Sequence, residues 1–401
     1  MPELWVGIDA GKREHHCVVI DEGGTKLLSR RVENDESTLL ELIAEVRELA
    51  SGDPVTWATD LNAGGAAALI DLVTSNGQRL LYIPGRIVHH ASATYRGDGK
   101  TDAKDAGIIA DQARMRRDLQ PIRGADQISV DLRIMTARHT DLICDRVRAI
   151  NRLRATLLEY FPALERAFDY SKSKAALTLL TTYRTPEALR RIGRTRLQTW
   201  LKNRGCRNSA GLAQRAIEAA DTQHNTLPTQ SLGAGMVAKL GAQITAIDAE
   251  LVEFEKEITD RFLQHSDALI LLSMPGFGPI LGATFLANTG GDLSAFESAD
   301  RLASVAGLAP APRDSGRISG NHHRPRRYNR RLLRVCCLAA FSSLKNSPAS
   351  RIFYNRKRGE GKNHKQALLA LARRRINVIW AMLRDHTNYQ EPSAVLRPLA
   401  P

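Results

Sequence analysis

Trp5-Val6-Gly7-Ile8-Asp9, Trp57-Ala58-Thr59-Asp60 and Thr101-Asp102-Ala103-Lys104-Asp105 decide how this 401-residue chain reads. The first two are short apolar runs of strand-like composition, each closed by an acid. The third opens a helical stretch. Residues three apart on a helix share a face, so Asp102 and Asp105 are expected to point into one pocket. Carboxylates gathered from separate elements repel unless a cation lies among them. Mg²⁺ is the natural occupant, because it prefers oxygen ligands and bridges carboxylate to phosphate. A two-metal phosphodiester site needs about this many carboxylates. A single acid at a strand end is more often a turn or cap residue. Asp9, Asp60, Asp102 and Asp105 together favour metal ligation. Asp111, further along the same helix, is assigned no role.

Working outward from these acids, residues 4–10, 14–22 and 26–32 read as three antiparallel strands, with Glu22-Gly23-Gly24-Thr25 as a turn. Apolar residues at helical spacing predict a helix over 37–49. A strand at 54–59, a helix over 66–73 and a strand at 79–84 follow. Three strands and then alternating helix and strand, with acids at these places, is the layout of a ribonuclease-H-like α/β domain.

Beyond it the chain turns helical. Residues 128–161 read as one long helix with Leu142, Val147, Ile150, Leu153 and Leu157 on its apolar side. A second carries Val237, Leu240, Ile244, Ile247, Leu251, Phe254 and Ile258 in alternating steps of three and four, a heptad seam that favours a coiled coil between protomers over the alternative of a core helix. Residues 166–228 are basic, helical and short-segmented, with no function legible. The expected domains are 1–125 (ribonuclease-H-like), 126–265 (helical and coiled-coil), 266–385 (basic, helical) and 386–401 (an irregular tail).

The formal charge of +14 points to a polyanionic partner. Its distribution is sharper. Residues 313–375 hold 18 Lys or Arg against two acids, Asp314 and Glu360, a net +16 that exceeds the whole chain's. Solvated surfaces normally mix both signs, so nucleic acid is the expected contact. No apolar run approaches the roughly 20 residues of a membrane helix. The N-terminus lacks a signal-peptide pattern, and five cysteines without a CxxC pair suit a reduced, cytoplasmic (nucleoid-associated) setting rather than structural zinc.

Two basic-region motifs bear on chemistry. Pro275-Gly276-Phe277-Gly278, between two apolar helices, resembles the hairpin of helix-hairpin-helix modules. There glycines such as Gly276 and Gly278 let backbone N–H groups approach a phosphate. A plain tight turn reads equally well. Arg313-Asp314-Ser315-Gly316-Arg317 is a loop by its prolines and glycine. Loop serines usually do nothing, but flanking arginines can hold a scissile phosphate while a hydroxyl attacks. Arg324, Arg326, Arg327, Arg330 and Arg331 extend the basic surface.

These residues resemble the DEDD transposases of bacterial insertion sequences, the insertion-sequence one-ten family, whose members include RNA-guided bridge recombinases. The N-terminal likeness runs from Trp5 to Ala106. The C-terminal one runs from Met274-Pro275-Gly276-Phe277-Gly278 through Ala306-Gly307-Leu308-Ala309-Pro310 to Ser315 and Arg330-Arg331-Leu332-Leu333-Arg334. The resemblance implies that Asp9, Asp60, Asp102 and Asp105 bind divalent metal in a RuvC-like domain, residues 1–125, and that Ser315 is the nucleophile that joins to DNA. It further implies donor and target DNA as substrates, a guide (bridge) RNA, and a homo-oligomer, dimer or tetramer. The chain departs from the pattern at Asp60, commonly Glu, and at Tyr328-Asn329, where relatives often carry Gly. Two rival readings are a metal-dependent nuclease of the junction-resolvase type, using water, and a non-catalytic DNA-binding protein.

Overall fold

The computed structural model describes residues 3–96, 99, 101–122, 127–291, 293–317, 319–323 and 325–391. The chain divides into two compact units, Met1–Asp126 and Gln127–Pro401.

The first unit is a six-stranded mixed sheet with helices on both faces. Its elements are β1 (Leu4–Ala10), β2 (Glu14–Ile20), β3 (Lys26–Glu33), α1 (Glu36–Ala50), β4 (Val55–Thr59), α2 (Ala67–Ser75), β5 (Arg79–Tyr82), α3 (Gly85–Ser92), α4 (Asp102–Met115) and β6 (Gln120–Ile122). Sheet order is β3-β2-β1-β4-β5-β6. Pairing is antiparallel among β1, β2 and β3, parallel from β1 through β4 to β5, and antiparallel at β6. This is the three-strands-then-alternation layout expected of a ribonuclease-H-like domain. Sequence reading missed α3 and the short edge strand β6.

Strand alternation sorts β1 between two cores. Leu4, Val6 and Ile8 pack with Leu39, Leu42, Ile43 and Val46 of α1 and with Leu69 and Val73 of α2. Trp5 faces the other way, into a core with Ala106, Ile109, Ala110 and Ala113 of α4. Gly7 shares that second face and lets β1 lie almost against the helix. A Cβ there would fall 2.0 Å from the Ala106 carbonyl oxygen and 2.4 Å from the Ala110 nitrogen. The close approach brings the start of α4 to the end of β1.

The second unit opens with α5 (Gln127–Tyr160). Short helices α6 (Pro162–Ala167), α7 (Lys174–Thr182), α8 (Pro186–Ile192), α9 (Arg194–Lys202) and α10 (Ser209–Asp221) follow, and α11 (Gln230–Leu263) returns along α5. It continues through α12 (Ala268–Ser273), α13 (Pro279–Thr289), α14 (Ala299–Val305), the hairpin β7 (Ala311–Pro312) and β8 (His322–His323), then α15 (Arg330–Asn346), α16 (Pro348–Gly359) and α17 (His364–Arg384).

The heptad seam finds its partner inside the chain. Val237 and Ile244 of α11 pack with Ala149, Ile150, Leu153 and Leu157 of α5 and with the short helices. Ile258 and Phe262 join Leu132 of α5 in a second core shared with α12 through α17. The stripe therefore does not require the second protomer expected from the sequence, because α5 already covers it. Val147 is exposed rather than on the apolar side. The boundary expected at residue 266 cuts through the second core, which needs both long helices. Ile244 is fully buried, so Ile244→Ala is expected to cost about 2–5 kcal/mol of stability. Chemical denaturation measures this, and a change of mass in light scattering without loss of stability would contradict it.

Candidate active site and nucleic-acid interface

Two strand ends and one helix start build the acidic site. In the parallel pair, Ile8 lies level with Thr59, so Asp9 and Asp60 leave the sheet side by side. Both follow the alternation onto the face covered by α4. The hydroxyl of Thr101 caps α4 by accepting from the Lys104 N–H, which sets Asp102 and Asp105 in the first turn. All four acids line one cavity of about 490 Å³, together with Lys104 and Tyr95.

Burial dominates the electrostatics at Asp60. Burial raises the Asp60 pKa above the usual range. The Ala10 N–H, donating to Asp60 Oδ1 at 3.4 Å, opposes this, while the charge of Asp105 adds to it. A cation would relieve this penalty. An all-oxygen donor set matches the chemistry of a hard divalent ion. Among the described residues, however, no three carboxylate, histidine or cysteine side chains are arranged to hold one ion as they stand. The donors fit in kind, and closing on a metal requires side-chain rotation.

Three neighbours of the site escaped sequence reading. His16 opposes Asp9 directly across the β1–β2 ladder. Burial and then Arg31 lower its pKa, against the opposing pull of Asp102. Arg31 reaches Asp102 at 3.6 Å and Glu14 at 3.1 Å. Lys104 lines the cavity itself. Only the strand register, not visible in the sequence, could have singled out His16 and Arg31. Asp111 does have a structural task, accepting from Tyr95 Oη at 2.6 Å and pairing with Arg114 at 2.7 Å.

The second unit carries the other predicted residues. Ser315 is exposed on the β7–β8 hairpin with Arg313, Asp314 and Arg317. The hairpin is closed by the Arg313 N–H donating to the Asn321 carbonyl at 2.9 Å. The Asn321 N–H in turn donates to Asp314 Oδ1 at 2.9 Å, so Asp314 serves the loop. Arg326 and Arg327 are exposed, and Arg324 lies outside the described residues. Arg330 and Arg331 are exposed in the first turn of α15. Cations are unfavourable at that positive helix end, so the placement makes sense once an anion binds.

Not all of the basic segment is available for binding. Arg375 is buried, donates to the Pro275 carbonyl, and has its pKa lowered to about 10 by burial. It holds the Pro-Gly turn. Gly276 in that turn has φ +86, and a Cβ would sit 2.2 Å from the Ala339 carbonyl oxygen. Tight packing on α15 thus accounts for this glycine. Gly278 differs. A Cβ there would meet nothing within 4 Å, and Gly278 is the N-cap of α13, which no side chain caps.

Comparison with known families matches two separate segments of the chain. A DEDD transposase family matches residues 6–162, and the transposase IS116/IS110/IS902 family matches residues 268–355. The chain is 60% identical to the 42 kDa protein of insertion element IS900 from Mycobacterium paratuberculosis, over 96% of this chain and 97% of that protein. It is 50% identical to the 44.8 kDa protein of IS116 from Streptomyces clavuligerus, over 95% of each. Identity is 35% to the 43.6 kDa protein of IS110 from Streptomyces coelicolor, over 96% of this chain and 95% of that one. The chain therefore belongs to the IS116/IS110/IS902 family of transposases, enzymes that cut and rejoin DNA.

Proposed function

We propose that this transposase cuts and rejoins DNA through Ser315, assisted by divalent metal, in particular Mg²⁺, at Asp9, Asp60, Asp102 and Asp105. The observation that carries the reading is the convergence of four carboxylates from three elements on one cavity. When bound, the ion supplies charge neutralisation at a phosphate. Ser315 Oγ forms a bond to phosphorus as the bond to a sugar oxygen breaks. The serine proton passes to a base, and the departing oxygen takes one up. Bond number is conserved, so the phosphoserine link can be reversed onto a new hydroxyl without an outside energy source. Arg313 and Arg317 flank the hydroxyl and neutralise charge on the phosphate. A guide RNA pairing donor with target, and assembly of protomers, extend this reading on family grounds. Sequencing RNA that co-purifies with the chain tests the guide.

The test of the central claim is a denaturing gel of end-labelled DNA incubated with protein and Mg²⁺. A protein-linked band supports the serine pathway. Free nicked ends without an adduct mean a water-using nuclease, and no cleavage means a binding protein.

The basic residues of the second unit are read as the DNA-backbone surface, with Gly278 at the start of α13 as a further phosphate contact. Affinity should fall steeply with salt, by a log–log slope of roughly −0.9 for each phosphate contact on duplex DNA. Charge reversal at Arg326, Arg327 and Arg330 is expected to flatten that slope by about two to three units. An unchanged slope would move the surface elsewhere.

A further inference from the structure

Residues 163–267 lie outside both matched segments. Within them, residues 184–207 hold eight Lys or Arg and one acid, Glu187. Glu187 is already engaged, accepting from Thr226 Oγ1 at 3.0 Å and Gln230 Nε2 at 2.9 Å. Arg190 is also occupied, donating to the Ala220 and Gln223 carbonyls at 2.5 and 2.6 Å. Arg191, Arg194, Arg196, Lys202, Arg204 and Arg207 are exposed. Among the described residues, none of these six has an ion-pair partner.

Elsewhere in the same helical region four arginines are paired. Arg138 pairs with Glu250 at 2.9 Å, Arg154 with Glu165 at 2.7 Å, Arg261 with Asp131 at 2.8 Å, and Arg148 with Asp145. A solvated face mixes signs, as those helices do. Four of these cations, Arg191 on α8 and Arg194, Arg196 and Lys202 on α9, repel one another until a polyanion neutralises them. The scaffold beneath them is firm. Gly193, at φ +71, turns the chain between α8 and α9, and Leu189, Leu197 and Leu201 are buried beneath. Arg196, Thr199 and Lys202 follow one another at three-residue steps on the exposed side of α9.

The chemistry selects the kind of polyanion. Single strands are gripped by stacking bases on open aromatic rings. Trp200, the aromatic residue of α9, has its face covered by the Arg204 guanidinium at 3.8 Å and is met by Tyr183 at 5.0 Å. Phosphate contact needs no groove entry, and the chain belongs to a family of enzymes that cut and rejoin DNA. We propose that the α8–α9 face is a second docking surface for duplex DNA, acting through its phosphates and separate from the basic segment at 313–375. This inference does not depend on Ser315 or on the acidic site.

The test uses the full chain and fluorescence anisotropy with labelled duplex DNA, single-stranded DNA and duplex RNA over a salt series. Arg196→Gln/Lys202→Gln removes two unpaired cations, and Arg138→Gln/Arg148→Gln removes two paired ones. The first variant is expected to make the duplex-DNA slope shallower by about one to two units, the second by less than about half a unit. Should the double variant melt early, Lys202→Gln alone is expected to give a change in the same direction of up to about 0.9 units. Equal slopes for the wild type and the first variant would overturn the proposal. So would equal changes in the two double variants, which would mean only net charge matters, or a loss confined to RNA or single strands.

Discussion

Asp9→Ala and Asp102→Ala are each expected to lower strand cleavage by more than about 100-fold, beyond the 10- to 100-fold cost of losing an outer partner of a metal ligand. DNA affinity, read by anisotropy, should stay within about twofold, since neither carboxylate attracts phosphate. The fold should persist too. Asp102 is more than half exposed, and its 3.6 Å contact with Arg31 is a surface pair worth at most about 1 kcal/mol. Its place in the first turn of α4 contributes a further 0.3–1 kcal/mol or so through the helix dipole. Quenched-flow cleavage with excess Mg²⁺ and with Mn²⁺ checks the result. Near-normal cleavage by either variant would remove the metal reading altogether.

Ser315→Ala is expected to bind DNA as the unaltered chain does and to form no protein-linked DNA, a complete loss of adduct. Ser315 is exposed on a hairpin closed by main-chain and Asp314 contacts, so removing its hydroxyl disturbs no core. Ser319→Ala, four residues on, is the control and should keep activity. Mass spectrometry of a trapped complex locates the link. Attachment at Ser319 or Tyr328, or full rejoining by Ser315→Ala, would defeat the assignment.

Much of the first unit was legible because its signals are local. Alternation in β1, the acids at strand ends and the i,i+3 pair in α4 need no distant contact to read. The parallel pairing of β1 with β4, which sets Asp9 beside Asp60, joins residues some fifty apart and leaves no local trace. β6 is three residues long and contains Pro121, which removes a ladder donor and hides the strand. The stripe on α11 was correctly seen as apolar, but periodicity shows that a face must be covered and not what covers it. Arg375 shows the same limit for charge. It counts as a cation in the sequence, yet it is buried and committed to the Pro275 carbonyl.

The pairing of α5 with α11 also gives the second unit a length scale. Each helix has 34 residues, or about 51 Å at 1.5 Å per residue. The core with the short helices draws on residues 149–157 of α5, near one end of this beam, and the core with α12–α17 draws on Leu132 near the other. Paired helices bend little, so the beam works as a ruler. At about 3.4 Å per base pair, its full length corresponds to roughly 15 base pairs. Straight DNA much shorter than this cannot touch both ends of the beam at once.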